Sequence, residues 1–130
     1  MTDANVSQKP SGATTGPSAG RRSRNKGKRG EREAAGLIAE ALGVVAQRGY
    51  HQARGGQEAP DVVVEGAPLW VEVKRQKRPN IPAAIAQAVA ERGSRPVWAV
   101  ALTKADRGEW LVTMTIEDWL DLLREWKAGR

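Results

Sequence analysis

The sequence predicts one α/β domain with the element order α-β-β-β-α-β-β-α. Three observations predict it. Apolar residues recur at helical spacing over 31–47, and two short β-rich runs flank a Gly-Ala-Pro turn over 61–74. An alanine-rich helix then ends at Gly93 and leads into a nearly continuous apolar strand. At 130 residues the chain has room for one domain of ordinary size.

Residues 1–29 are rich in Gly, Ser, Thr, Pro and basic side chains and show no apolar periodicity. Such a segment buries too little surface to offset the entropy of ordering, so it is expected to be a disordered tail, with the domain over 30–130. The formal net charge of +6 also belongs to it. Residues 1–29 hold Lys9, Arg21, Arg22, Arg24, Lys26, Lys28 and Arg29 against Asp3, while the remainder carries fourteen residues of each sign. A neutral body with a basic arm points to a polyanionic partner, with DNA phosphates met by Arg21, Arg22, Arg24, Lys26, Lys28 and Arg29.

The first helix is expected over 31–47, with Ala34, Leu37, Ile38, Ala41, Leu42, Val44 and Val45 on its apolar side and Gly49 as its stop. On the helical wheel Glu31 falls beside Ala35, Ile38 and Leu42, Glu33 lies farther round, and Glu40 points away. A short strand over 50–54 and a loop over 55–59 follow. The runs 61–64 and 69–74 form a hairpin about the turn 66–68. Strand alternation puts Trp70, Glu72 and Lys74 on one face and Val71 and Val73 on the other. Pro82 suits the first turn of a helix over 81–92, and 97–102 reads as a doubly covered strand. After Asp106-Arg107-Gly108 come a strand over 109–114 and a helix capped near Thr115, with Ile116, Trp119, Leu120, Leu123 and Trp126 on one stripe.

Several chemistries are excluded at once. There is no cysteine, so disulfides, Cys-ligated zinc and thiol nucleophiles are absent, and His51 is the lone histidine. No apolar run suits a signal-peptide core or a membrane span, and the expectation is a soluble, cytoplasmic protein with no membrane partner and no small-molecule cofactor.

What remains is Pro60-Asp61 with Glu72-Val73-Lys74. Phosphodiester hydrolysis needs an activated water, charge neutralisation and help for the leaving oxygen, which carboxylate-held Mg²⁺ or Mn²⁺ supplies. Asp61 and Glu72 are the natural ligands. Lys74 either stabilises the transition state or orients and helps deprotonate the attacking water. Glu31 would add a further metal or metal-water contact, and Gln87 would position Lys74 or a phosphate. Glu72-Val73-Lys74 alone is what the solvated face of any hairpin looks like. Its occurrence with Asp61, in order, on a hairpin set between two helices is far more specific. Of the five tryptophans, Trp98, Trp119 and Trp126 fall on apolar stripes and are expected in the core, in a chain without Phe.

The constellation resembles the PD-(D/E)xK nuclease superfamily. More narrowly, Lys26 to Glu33 (KGKRGERE), Arg54, Pro60-Asp61, Glu72-Val73-Lys74 and the apolar strand after Arg95-Pro96 are similar to archaeal-type Holliday junction resolvases and related phage-encoded endonucleases. The likeness spans most of residues 26 to 102. It implies a restriction-endonuclease-like α-β-β-β-α-β core, a central mixed sheet flanked by helices, plus a C-terminal strand and helix. It further implies a metal-dependent endodeoxyribonuclease acting on branched DNA as a homodimer, in a bacterial or phage-infected cell. Position by position, Glu31 would be the family's helix glutamate, with Glu33 the competing choice. Asp61 and Glu72 would be the metal carboxylates, Lys74 the catalytic lysine, and Arg54 a substrate-phosphate contact.

Overall fold

The structure, a computed structural model, describes residues 19–49 and 59–129. The strand expected over 50–54, and with it His51 and Arg54, lies outside the described residues. The element order is α1 (Ala19–Leu42), β1 (Ala46–Arg48), β2 (Val62–Val64), β3 (Leu69–Gln76), α2 (Ile81–Arg92), β4 (Trp98–Ala105), β5 (Leu111–Thr113) and α3 (Ile116–Ala128). These form an α/β fold, a five-stranded mixed sheet flanked by helices.

Strand order in the sheet follows the chain, β1-β2-β3-β4-β5. Three antiparallel strands come first, β3 and β4 then pair in parallel across the α2 crossover, and β5 returns antiparallel on β4. Both strands of the parallel ladder run farther than their apolar runs. Leu69 pairs with Trp98 and the register continues to Gln76 with Ala105, so polar residues at the strand ends keep backbone partners.

The helices cover opposite faces. Ala34 and Ala35 of α1 pack on Val62, Val64, Val71 and Val73. Ala84 and Ala88 of α2 are buried, as are Ala99 and Ala101 on the other face of the sheet. Small side chains on both surfaces let α2 sit close to β3 and β4. Asn80 caps this helix, its Oδ1 accepting from the Ala83 N–H at 3.0 Å, and Gly93 ends it with φ +62°.

The first helix differs from expectation at both ends. It begins at Ala19, so 19–29 of the expected disordered tail are helical. Two tertiary anchors absent from local periodicity account for this. Lys26 Nζ lies 3.0 Å from both carboxylate oxygens of Asp106, and Gly30 is buried against β3. The helix stops at Gly43, whose φ of +68° few other residues adopt, and its N–H donates to the Ala39 carbonyl. Val44 and Val45 are thereby released, and Ala46–Arg48 become strand β1.

A Cβ at Gly30 would lie 2.8 Å from the Arg75 Cβ, whereas one at Gly27 would meet nothing within 4 Å. Gly30→Ala should therefore destabilise the fold by about 1–2 kcal/mol, overpacking outweighing the helix-propensity gain. Gly27→Ala should leave the melting temperature level or raised. Thermal melts of the two variants check this pairing.

The C-terminal helix also departs from expectation. Thr115 caps α3 by accepting from the Asp118 N–H at 3.2 Å, but Trp119 and Trp126 are 46% and 58% exposed rather than core. Polar contacts hold α3 instead. Asp118 Oδ2 accepts from Arg92 Nη1 at 2.6 Å and from the Ala99 N–H at 3.1 Å, and Trp98 Nε1 donates to Asp121 Oδ2 at 2.9 Å. The anchoring edge is thus the acidic one, and the apolar stripe faces outward. Among the described residues, no helix is long and apolar enough to cross a membrane.

Candidate active site

The register that pairs Val62 with Val71 sets Asp61 opposite Glu72 at the end of the β2–β3 pair. Three bonds pin Asp61 there. Its N–H donates to the Val71 carbonyl at 2.9 Å, its Oδ2 accepts from the Val73 N–H at 2.8 Å, and its carbonyl accepts from the Gly49 N–H at 2.9 Å. Glu72 is 2% exposed, and its Oε2 accepts from Trp70 Nε1 at 3.0 Å. The guanidinium of Arg95 lies over that indole, 4.5 Å from the ring centre.

Lys74 follows two residues on, half-buried, and its ammonium makes no hydrogen bond or ion pair with a described residue. Across the parallel ladder from Lys74 stands Thr103, 1% exposed. Its hydroxyl is buried without a hydrogen-bond partner among the described residues. Strand alternation therefore does bring Asp61, Glu72 and Lys74 to one face, the face covered by α2.

Electrostatically this face is crowded with carboxyl groups. Burial pushes the Glu72 pKa from 4.5 to about 9, with help from hydrogen bonding to the Glu91 carboxyl and from the charge of Asp61. Glu72 is thus protonated at neutral pH in the metal-free protein. Glu91 was not singled out by sequence reasoning, although a signal existed. It follows Ala84 and Ala88 at helical spacing on the sheet-facing side of α2. Gln87, one turn earlier, donates from Nε2 to Glu91 Oε2 at 3.0 Å, so it orients Glu91 rather than Lys74.

The structure does not bring Glu31 to this centre. Arg48 pairs with Val62 in the sheet and shares its α1-covered face, and Arg48 Nε donates to Glu31 Oε1 at 2.8 Å. Glu33, the alternative, accepts from Arg75 Nη1 at 3.0 Å and from Trp110 Nε1 at 3.2 Å. Both glutamates are bound to partners that belong to the scaffold.

Among solved structures, the fold is similar to Hjc, a Holliday junction resolvase from the archaeal hyperthermophile Archaeoglobus fulgidus. The TM-score is 0.49 at 22% identity, over 68% of this chain and 76% of that one. No protein-family model matches the sequence, and neither does any curated protein. The chemistry of the site therefore rests on its own geometry.

The expected basic contacts divide into two groups. Arg21, Arg24 and Lys28 are exposed on α1 and, with Arg32, recur at helical spacing to form a cationic stripe. Arg29 is exposed beside it, and Arg22 lies in the same helix. Lys26 is instead committed to Asp106, whose carboxyl its hydrogen bonds hold below the usual range.

Asp61 and Glu72 offer the hard oxygen donors that Mg²⁺ or Mn²⁺ takes. Among the described residues, no group of three His, Cys, Asp or Glu side chains is already arranged to hold a metal ion. A Mg²⁺ site does not require one, since one or two carboxylates, waters and substrate phosphates commonly complete its shell. The donor set therefore fits.

Proposed function

We propose that the chain is a metal-dependent DNA endonuclease whose chemistry is carried by Asp61, Glu72 and Lys74. The observation that carries this reading is their convergence on one sheet face: two carboxylates opposite each other and, two residues on, an ammonium with no partner among the described residues. Asp61 and Glu72 would hold Mg²⁺, which supplies an activated water and charge neutralisation when bound. Lys74 would meet a substrate phosphate or the attacking water, and half-burial would strengthen its field over that of a solvated lysine. Trp70 holds the orientation of Glu72, and the backbone of β3 holds Asp61. The stripe of Arg21, Arg24, Lys28 and Arg32 would lie along the DNA backbone, and branched DNA is the substrate class that the sequence resemblance favours.

Incubating the full chain with four-way junction, flap, linear duplex and single-stranded DNA, in Mg²⁺, Mn²⁺ or EDTA, tests this. Paired symmetric nicks confined to the junction are expected, lost in EDTA and in Asp61→Ala and Glu72→Ala. Cutting of every substrate would make it a general nuclease. Salt-sensitive binding without any metal-dependent cleavage would make it a DNA-binding module on this fold.

A further inference from the structure

We propose that the third carboxylate of the cation site is Glu91 of α2, not Glu31 of α1. This rests on the nuclease reading and assigns one more residue to it. Glu91 reaches the same sheet face as Asp61 and Glu72, and its carboxyl is within hydrogen-bonding reach of the Glu72 carboxyl. Gln87 fixes it from one helical turn away, Nε2 to Oε2 3.0 Å. Orienting partners of this kind hold a metal-site carboxylate in place and tune its affinity. Glu31 has the opposite surroundings: the sheet lies between it and Glu72, and Arg48 already neutralises it at 2.8 Å.

A second observation, independent of the acids, points to a ligand on this face. Thr103 is 1% exposed and its hydroxyl has no partner among the described residues. It lies across the ladder from Lys74, one alternation beyond Ala101, the partner of Glu72. An orphaned buried hydroxyl is costly, and a bound ion with its waters, or a phosphate oxygen, would satisfy it. Thus, among the described residues, the α2-covered face presents three carboxyl groups not already closed into a metal-holding group, an ammonium without a partner and an unsatisfied hydroxyl. On the α1-covered face Glu31 and Glu33 are ion-paired, and the orphaned Arg75 Nε there is a donor that repels a cation.

Titrating the full-length protein with Mn²⁺ in the absence of DNA, following free Mn²⁺ by electron paramagnetic resonance, tests the assignment. Glu91→Gln should weaken Mn²⁺ affinity ~10-fold or more, and Glu31→Gln should leave it within about twofold. Glu91→Asp should fall between native and Glu91→Gln, and circular dichroism melts should show each variant folded. The assignment is overturned if Glu31→Gln loses as much affinity as Glu91→Gln, or if Glu91→Gln binds as tightly as native or tighter. Loss of binding in Asp61→Asn with none in Glu91→Gln refutes Glu91 alone. Failure of the native chain to bind Mn²⁺ overturns the nuclease reading and this assignment together.

Discussion

Glu72→Gln is expected to abolish cleavage and, at the same time, to raise the melting temperature of the metal-free protein at pH 8. The two effects share one cause. Burial beside Glu91 and Asp61 raises the pKa of Glu72 from 4.5 to about 9, so the folded state keeps a proton that the unfolded chain releases. Between these values the folded state binds more protons than the unfolded one. The stabilisation is therefore complete below pH 4.5 and is lost as the pH climbs toward 9. A glutamine keeps the shape and the bond from Trp70 but has no proton to lose. Its melting curve should lack this downward slope, and at pH 8 it should stand ~5 °C or more above native. Cleavage should fall at least ~100-fold, because an amide is a poor cation ligand. Melts in EDTA from pH 5 to 9, beside a junction-cleavage assay, measure both. A native melting temperature flat across that range, or a variant less stable at every pH, would mean that Glu72 is not held as described.

Gly49→Ala should cost ~3 kcal/mol or more and take the activity with it. A Cβ built at Gly49 would stand 2.0 Å from the Pro60 carbonyl oxygen. The Cβ position is fixed by the backbone and the oxygen belongs to it, so no rotamer relieves the overlap and the 59–61 segment must move. That movement breaks the bond from the Gly49 N–H to the Asp61 carbonyl and shifts Asp61 away from Glu72. Gly36→Ala is the control, since a Cβ there meets nothing within 4 Å. Urea unfolding should show the midpoint collapse for Gly49→Ala and little change for Gly36→Ala. Equal stability of the two would show that β1 and β2 tolerate a wider separation than the structure describes.

The sequence was most legible where the information is local. The order from β2 to α3, the shared face of Trp70, Glu72 and Lys74, the cap of α3 and the stop at Gly93 all follow from short-range periodicity and turn chemistry, whereas β1 lies where the first helix was expected to continue. It was least legible where two elements meet. The wheel of α1 correctly placed Glu31 near the buried stripe, but no wheel tells which face of a sheet a helix covers. The crossover carrying α2 settles that, and it puts Glu31 behind the sheet and Glu91 in front of it. Gly49 was the expected stop, but the helix ends at Gly43, because Ala46–Arg48 pair with β2. The helical run 19–29 was hidden for the same reason, because Asp106, which anchors Lys26, lies eighty residues away. Trp119 and Trp126 make a correct stripe, yet α3 is held by its aspartates.

The sheet also works as an electrical partition. On the α1 side Glu31 meets Arg48, Glu33 meets Arg75 and Lys26 meets Asp106, at or near the surface where dissolved ions reach them and the cationic stripe alike. On the α2 side Glu72 is shut away from the solvent, and its charge state follows proton activity rather than ionic strength. Under the proposed reading, grip on DNA and readiness for chemistry thus answer to separate solution variables, salt for the first and pH for the second. That reading would give one small fold two separate controls, one on each side of a single layer of strands.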